Sequence, residues 1–251
     1  MATSSETPEQ PPSLKDALSR RKKETALFLL RFACLFCSIA FIVPFIGNNW
    51  FYSRALLLYA VVSVVRLSQR APAFEFSRQY LQQIFLEDSF HYLLYCFAFL
   101  GNFPLPFTVL PISLYCLLHT ANFLKSIRES LPYTLQTFLV RLSTGLDGAS
   151  ISIFRVIAFT EIILFPIIVV ARIGGLGSVF NILLHYQFLT LRYLSRRNPY
   201  TKVAFNELRL KFESMAAHPS CPSIVRKAIT RGIAFISRLS PAVAYSTPER
   251  P

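Results

Sequence analysis

The chain has 251 residues, of which 53% are hydrophobic and only 16% are charged, and its mean hydropathy is +0.44. Soluble domains carry about a quarter charged residues, so this composition excludes an ordinary water-soluble globule and favours a membrane protein. The net charge of +13 predicts an anionic partner surface, and most of the excess lies from Arg192 onward.

The N-terminal residues 1–23 are rich in Ser, Thr, Pro and Glu and end in a basic group, which predicts a disordered polar segment. A membrane helical domain is expected over 24–195, and its first segment covers about 26–47. At 1.5 Å per residue this segment measures about 33 Å, enough to cross a hydrocarbon layer of about 30 Å. It lacks the features of a cleavable signal peptide. The basic group before it favours a cytosolic N-terminus.

The second apolar segment, 52–66, has a short uncharged centre between two arginines, so both a crossing and an interfacial helix remain open. The third segment, 90–124, is longer than one crossing requires. Because Gly101 and three prolines lie in its middle, it is predicted to form two helices joined by a bend over 101–111.

A polar loop is expected next, followed by segments 151–171 and 173–191 with a glycine-rich break between them. Glu161 lies within the first of these segments, where an ionised carboxylate is costly. This position predicts an ion pair with Arg155 or with an arginine of another helix. A proton relay or ion site is the functional alternative.

Catalytic chemistry has little support in the sequence. Glu87 and His91 share a helix face next to Asp88, but two or three such ligands without a matching set are weak evidence for a metal site, and a helix start explains them. The CxxC of Cys34 and Cys37 lies in an apolar run and indicates packing. Serine-hydrolase, phosphate-loop and zinc-protease motifs are missing, so no catalytic residue, metal or cofactor is predicted.

The C-terminal region, 196–241, is basic and amphipathic, and a disordered tail is expected over 242–251. On a helical wheel, the stretch "SIVRKAITRGIAFISRLS" separates an apolar half from a half whose charges are all positive. This pattern is typical of a helix lying on an anionic membrane surface. The residues expected to bind the membrane here are Ile224, Val225, Arg226, Lys227, Ile229, Arg231, Ile233, Ile236, Arg238 and Leu239.

The apolar half of this helix could instead pack on the protein itself. Nucleic acid is excluded as the expected partner because no recognised nucleic-acid-binding pattern surrounds the basic residues. Just before this region, the stretch "RYLSRRNPY" is interpreted as a membrane exit, in which Arg192, Arg196 and Arg197 contact cytosolic head groups.

Four stretches carry a resemblance to a known family: "LEDSFHYLLY" (86–95), "FLTLRYLSRRNPYTKVAFNELR" (188–209), "CPSIVRK" (221–227) and "IAFISRLSP" (233–241). With them the chain resembles the transmembrane protein 33 family, also called the Krüppel homologue 2 family, from about residue 24 to 241. The resemblance implies a protein of the endoplasmic reticulum membrane and nuclear envelope without known catalytic activity. Its implied partners are reticulon-type proteins and nuclear pore components, with stress signalling as a further role in animals.

The expected fold is therefore an all-α polytopic membrane protein, with helical hairpins and cytosolic C-terminal amphipathic helices. The leading functional hypothesis is a non-enzymatic organiser of membrane shape, in which short helices wedge into the bilayer and the basic tail binds anionic lipid. An ion channel or carrier, or a modulator of one, built on Glu161 is an alternative, as is a lipid enzyme using Glu87, Asp88 and His91. A further copy of the chain, in a homo-oligomer, is an additional candidate partner.

Overall fold

The computed structural model describes residues 13–43, 49–72, 75–195 and 197–239. Within these ranges the chain forms ten α-helices and one short 3₁₀ helix and contains no strand. Four of the helices are long and apolar enough to cross a membrane. These findings confirm the predicted all-α polytopic fold.

The first two long helices form an antiparallel hairpin. A short helix, α1 (Leu14–Arg20), leads into α2 (Lys22–Ile42), which packs along α3 (Asn49–Arg70). The Cys34 thiol donates a hydrogen bond to the Ala55 carbonyl at 3.4 Å, deep in this contact. The expectation of disorder through residue 23 is thus wrong for 14–20 and for the start of α2, while residues 1–12 lie outside the described ranges.

The second apolar segment is a continuous helix of 22 residues, longer at both ends than the expected 52–66. At 1.5 Å per residue α3 measures about 33 Å, so it is long enough to cross the hydrocarbon layer. Near its start, the exposed Arg54 stacks over the Trp50 ring at 5.1 Å. The polar residues on both sides of the apolar stretch are part of the same helix.

The third segment divides into two helices, with α4 (Arg78–Phe85) preceding them. The first is α5 (Asp88–Phe99) and the second is α6 (Pro106–Ser126). Gly101, with φ +84°, lies in the turn between them, and Pro106 occupies the first turn of α6, where its missing N–H costs no hydrogen bond. Pro111 lies inside α6, so the break is shorter than the expected 101–111.

A 3₁₀ helix (Arg128–Ser130) precedes α7 (Tyr133–Ile173), whose 41 residues measure about 61 Å. The expected polar loop before residue 151 is therefore helix. Interior glycines such as Gly145 cost only about 1 kcal/mol each, which a long helix tolerates. Lys125 at the end of α6 also pairs with Asp147 of α7, with 2.5 Å between Nζ and Oδ2.

The chain then turns through residues 174–178 into α8 (Val179–Leu194), which begins later than the expected residue 173. Two further helices, α9 (Tyr200–Ala217) and α10 (Ser223–Leu239), form a C-terminal hairpin. The first of them packs on α7 and α8, and α10 packs on α9.

Ion pairs mark one end of the helical bundle, where α3 ends, α5 begins and α8 ends. Here Glu87 pairs with Arg70 at 3.6 Å and with Arg197 at 2.8 Å, and this end is called the polar end below. At the opposite end Asn102, after α5, donates to Asn181 of α8 at 2.9 Å. The core between them is aromatic and aliphatic, whereas many outward-facing side chains are large and apolar, as expected for lipid contact.

Candidate functional site: a buried ion-pair network and an amphipathic tail helix

A buried ion pair joins α7 to α8 inside the bundle. Glu161 and Arg192 are 0% and 1% exposed, and Nε of the arginine lies 3.3 Å from Oε2 of the glutamate. The Tyr92 hydroxyl of α5 donates to the other carboxylate oxygen. Because removal of either charge from water costs several kcal/mol, the pair is tolerated here only with its surrounding hydrogen bonds.

Each nitrogen of the Arg192 guanidinium has a partner. Nη1 lies 3.3 Å from the Asp88 carboxylate, and Nη2 donates to the Tyr115 hydroxyl at 3.0 Å. The guanidinium carbon lies 5.3 Å from the centroid of the Tyr92 ring, within cation–π range. This one side chain therefore contacts α5, α6 and α7.

The network continues into the loop between α8 and α9. The Ser195 hydroxyl donates to the Asp88 carboxylate at 2.9 Å, and the side-chain Nδ2 of Asn198 donates to the Tyr115 hydroxyl at 2.8 Å. The backbone N–H of Asn198 also donates to the Ser195 hydroxyl at 3.3 Å. These bonds anchor the start of the C-terminal hairpin to the bundle.

The structure corrects two assignments made from the sequence. Arg192 was expected to contact head groups, but it is buried in the network. Arg155 was one expected partner of Glu161, but it pairs with Glu207 of α9 at 2.8 Å and is about half exposed. The other expectation was an arginine of a different helix, and that residue is Arg192. Its position at the end of an uncharged run indicates that its side chain can lean back into the bundle, but not which residue it meets.

The acidic residues at the start of α5 also form ion pairs. Glu87 pairs with Arg197, which is about half exposed, and Asp88 with Arg192. His91 is buried, and its Nε2 lies 2.7 Å from the Phe85 carbonyl. Among the residues described, no group of three or more His, Cys, Asp or Glu side chains is arranged to hold a metal.

The C-terminal helix α10 leaves much of its apolar half uncovered. Ile224, Phe235 and Ile236 are 81%, 63% and 54% exposed, and Val225 is also exposed. Ile229 and Ile233 are half-buried. The helix thus packs against α9 with part of its apolar half only.

The opposite half of α10 is basic and exposed. Its charged side chains are Arg226, Lys227, Arg231 and Arg238, and no acidic residue lies between them in the helix. Two residues expected at this surface cannot be placed: Arg196 and the side chain of Leu239 lie outside what the structure describes.

These features define a polytopic helical membrane protein with a buried polar network and a basic C-terminal hairpin. The sequence profile of the family described as Transmembrane protein 33/Nucleoporin POM33 matches residues 6–242. The chain belongs to this family, as the resemblance in the sequence predicted.

Individual relatives agree with this assignment. The chain is 44% identical over 231 residues to Transmembrane protein 33 of Mus musculus, covering 89% of this chain and 92% of the relative. It is 42% identical over 230 residues to the Homo sapiens protein of that name, with 88% and 91% covered. Krueppel homolog 2 of Drosophila melanogaster is 32% identical over 232 residues, with 92% and 83% covered. No solved structure matches the chain.

Proposed function

We propose that this protein is a non-enzymatic organiser of membrane shape in the endoplasmic reticulum and nuclear envelope. Its action is mechanical: α10 lies in the cytosolic leaflet of an anionic membrane, while short helices of the bundle occupy only part of the bilayer. The nucleoporin name within the family description supports the nuclear envelope as one location. Reticulon-type proteins and nuclear pore components are the partners proposed from the family resemblance.

The exposed apolar half of α10 is the observation that carries this proposal. A helix with Ile224, Phe235 and Ile236 open to solvent on one half and four cations on the other is unfavourable in water. An anionic membrane surface stabilises both halves of the helix. The apolar side chains enter the acyl region, and each cation contributes about 1 kcal/mol to the free energy of membrane binding.

Two helices of the bundle support a wedge-like contribution. At 1.5 Å per residue α5 measures about 18 Å and α8 about 24 Å, both short of the hydrocarbon thickness of about 30 Å. Their 12 and 16 residues are joined by short turns to one helix long enough to cross, α5 to α6 and α8 to α7. Helices of unequal length displace different volumes in the two leaflets, which favours curvature.

The buried network supports an organiser over an ion channel. Glu161 has Arg192 and Tyr92 as partners and is fully buried, so both of its carboxylate oxygens are engaged. A carboxylate that binds a transported ion or proton requires access from water. The lipid-enzyme alternative has similarly little support, because Glu87 and Asp88 are held in ion pairs with arginines.

Fluorescence from an environment-sensitive dye on α10 tests the proposal in the full chain. The dye is attached to Ile236→Cys, in a Cys221→Ser background, after reconstitution into nanodiscs of phosphatidylcholine with or without phosphatidylserine. We expect a blue-shifted emission and protection from an aqueous quencher, both increased by phosphatidylserine.

A dye on the opposite half, at Ser237→Cys, is the matched control and should remain accessible to the quencher. Equal quenching at both positions would refute the membrane-bound tail.

Vesicle size tests the proposed effect of α10 on membrane shape. Proteoliposomes containing Ile236→Glu should be larger than those of the unmodified chain in electron cryomicroscopy. Equal diameters would refute the mechanical role of α10.

A further inference from the structure

A second cluster of charge lies inside the bundle near the polar end, apart from the Glu161 network. Arg31 of α2 is only 9% exposed, and Arg66 of α3 is partly buried. Nη1 of Arg66 lies 2.7 Å from Nε2 of His119 on α6. Arg31 belongs to α2, which packs on both α3 and α6, so three helices bring the cluster together.

Helix geometry explains why the two arginines meet. Side chains on a helix lean toward its N-terminus, and α2 and α3 are antiparallel. Arg31 therefore leans toward the polar end, whereas Arg66, four residues before the end of α3, leans away from it. The two side chains therefore lean toward each other, and their positive charges repel.

The cluster holds two positive charges. An arginine donates through all its N–H groups, so the Arg66 contact requires His119 to accept at Nε2 and thus to be neutral. Within the described ranges, neither Arg31 nor Arg66 has a carboxylate within salt-bridge distance. Two acids whose charges act on Arg66, Glu87 and Asp88, are paired with other arginines.

Two buried polar atoms of this region also lack partners. Nε of Arg31 and the hydroxyl of Thr120, next to His119, are enclosed without a hydrogen bond in the part of the chain described. Arg31 is the tenth residue of α2, about 14 Å along the helix from Lys22. An unpaired cation at that depth is costly, whereas an anion between the two arginines would neutralise both.

We propose that Arg31, Arg66 and His119 form a binding site for a phosphate group. Two guanidinium groups match the geometry of phosphate oxygens, which accept paired N–H donors. Basic pockets between membrane helices commonly bind the head groups of anionic lipids. The phosphate can belong to such a lipid or be free in solution. This inference does not depend on the function proposed for α10.

Thermal unfolding of the purified full chain in a neutral detergent tests the site. We expect added phosphatidic acid to raise the unfolding temperature and phosphatidylcholine to have no effect. Arg31→Gln and Arg66→Gln should each weaken the response to phosphatidic acid about tenfold or more in concentration. Inorganic phosphate is the second probe: stabilisation by it assigns the site to free phosphate, and stabilisation by phosphatidic acid alone assigns it to lipid.

Arg54→Gln is the matched control, since Arg54 is an exposed arginine at the opposite end of the same helix. It should respond like the unmodified chain, and the C-terminal helix is identical in all of these variants. A loss equal to that of Arg66→Gln would overturn the site, because general surface charge would then explain binding. So would an unmodified chain that neither probe stabilises.

Stability without ligand separates a binding role from a structural one. Arg31→Gln removes an unpaired buried cation, so without phosphate it should unfold at the same temperature as the unmodified chain or higher. If it unfolds at a lower temperature by the same amount with and without phosphatidic acid, Arg31 is structural and the proposal is wrong.

Arg66→Lys tests recognition by paired donors. It retains the charge without the paired N–H groups and should bind phosphatidic acid with intermediate affinity. Affinity equal to that of the unmodified chain would contradict recognition by paired donors.

Discussion

Glu161 and Arg192 form a fully buried ion pair across α7 and α8, with 3.3 Å between the charged atoms. The two helices are consecutive, joined by the turn over residues 174–178. Their contact is also the centre of a hydrogen-bond network that reaches α5, α6 and the loop before α9. The arginine therefore holds together α5, α6, α7 and α8.

Removal of Arg192 should be severely destabilising. Arg192→Gln leaves the buried Glu161 carboxylate without its cation, and broken pairs of this kind cost about 3–5 kcal/mol. The double variant with Glu161→Gln should cost less than the sum of the two single variants, as measured by denaturant unfolding in detergent. Arg155→Gln, which breaks a partly exposed pair, is the control and should cost less than about 1 kcal/mol. Equal losses for the two arginines would contradict the role of Arg192 as the buried counter-ion.

The Tyr115 hydroxyl should contribute measurably to stability. It accepts hydrogen bonds from Arg192 at 3.0 Å and from Asn198 at 2.8 Å, so Tyr115→Phe leaves two donors without a partner. A loss of about 1–3 kcal/mol is expected from the unfolding midpoint. Tyr133→Phe at the exposed start of α7 should have almost no effect. The network would need revision if both variants unfolded alike.

Alanine at Gly145 tests the early start of α7. In a helix interior with open space around it, alanine is more favourable than glycine by about 0.5–1 kcal/mol, so Gly145→Ala should stabilise the protein. Gly175→Ala should instead destabilise the protein, since Gly175 has φ +85° and alanine in that backbone region costs about 1–2 kcal/mol. Unfolding midpoints measure both. Destabilisation by Gly145→Ala would argue for a loop at this position.

Thiol labelling should separate one cysteine from the other four. Cys221, before α10, is partly exposed, whereas the remaining cysteines are buried: Cys34, Cys37, Cys96 and Cys116. With a maleimide in mild detergent, mass spectrometry should detect one modification in the folded protein and five after unfolding. Cys221→Ser should abolish the first modification. Rapid labelling of a second site in the folded state would contradict the packing of the bundle.

Local patterns in the sequence were enough to predict the membrane class, the helical fold and the basic amphipathic character of α10. Each depends on composition or on spacing along one segment, and the lengths of apolar runs translate directly into helix lengths. The division of the third segment into two helices was also predicted, because Gly101 and its neighbouring prolines act locally. The helical start of α7 was missed, since polar residues and glycines occur both in loops and on exposed helix faces.

Side-chain partners were decided only by the tertiary structure. The sequence could place Glu161 inside the membrane and require a counter-charge, but it could not distinguish Arg155 from Arg192. That choice depends on which helix faces meet, and residues 31 positions apart carry no local signal of contact. For the same reason, the unpaired charges of Arg31 and Arg66 became evident only after three helices were packed together, because a charge in the interior is costly or satisfied according to its neighbours in space.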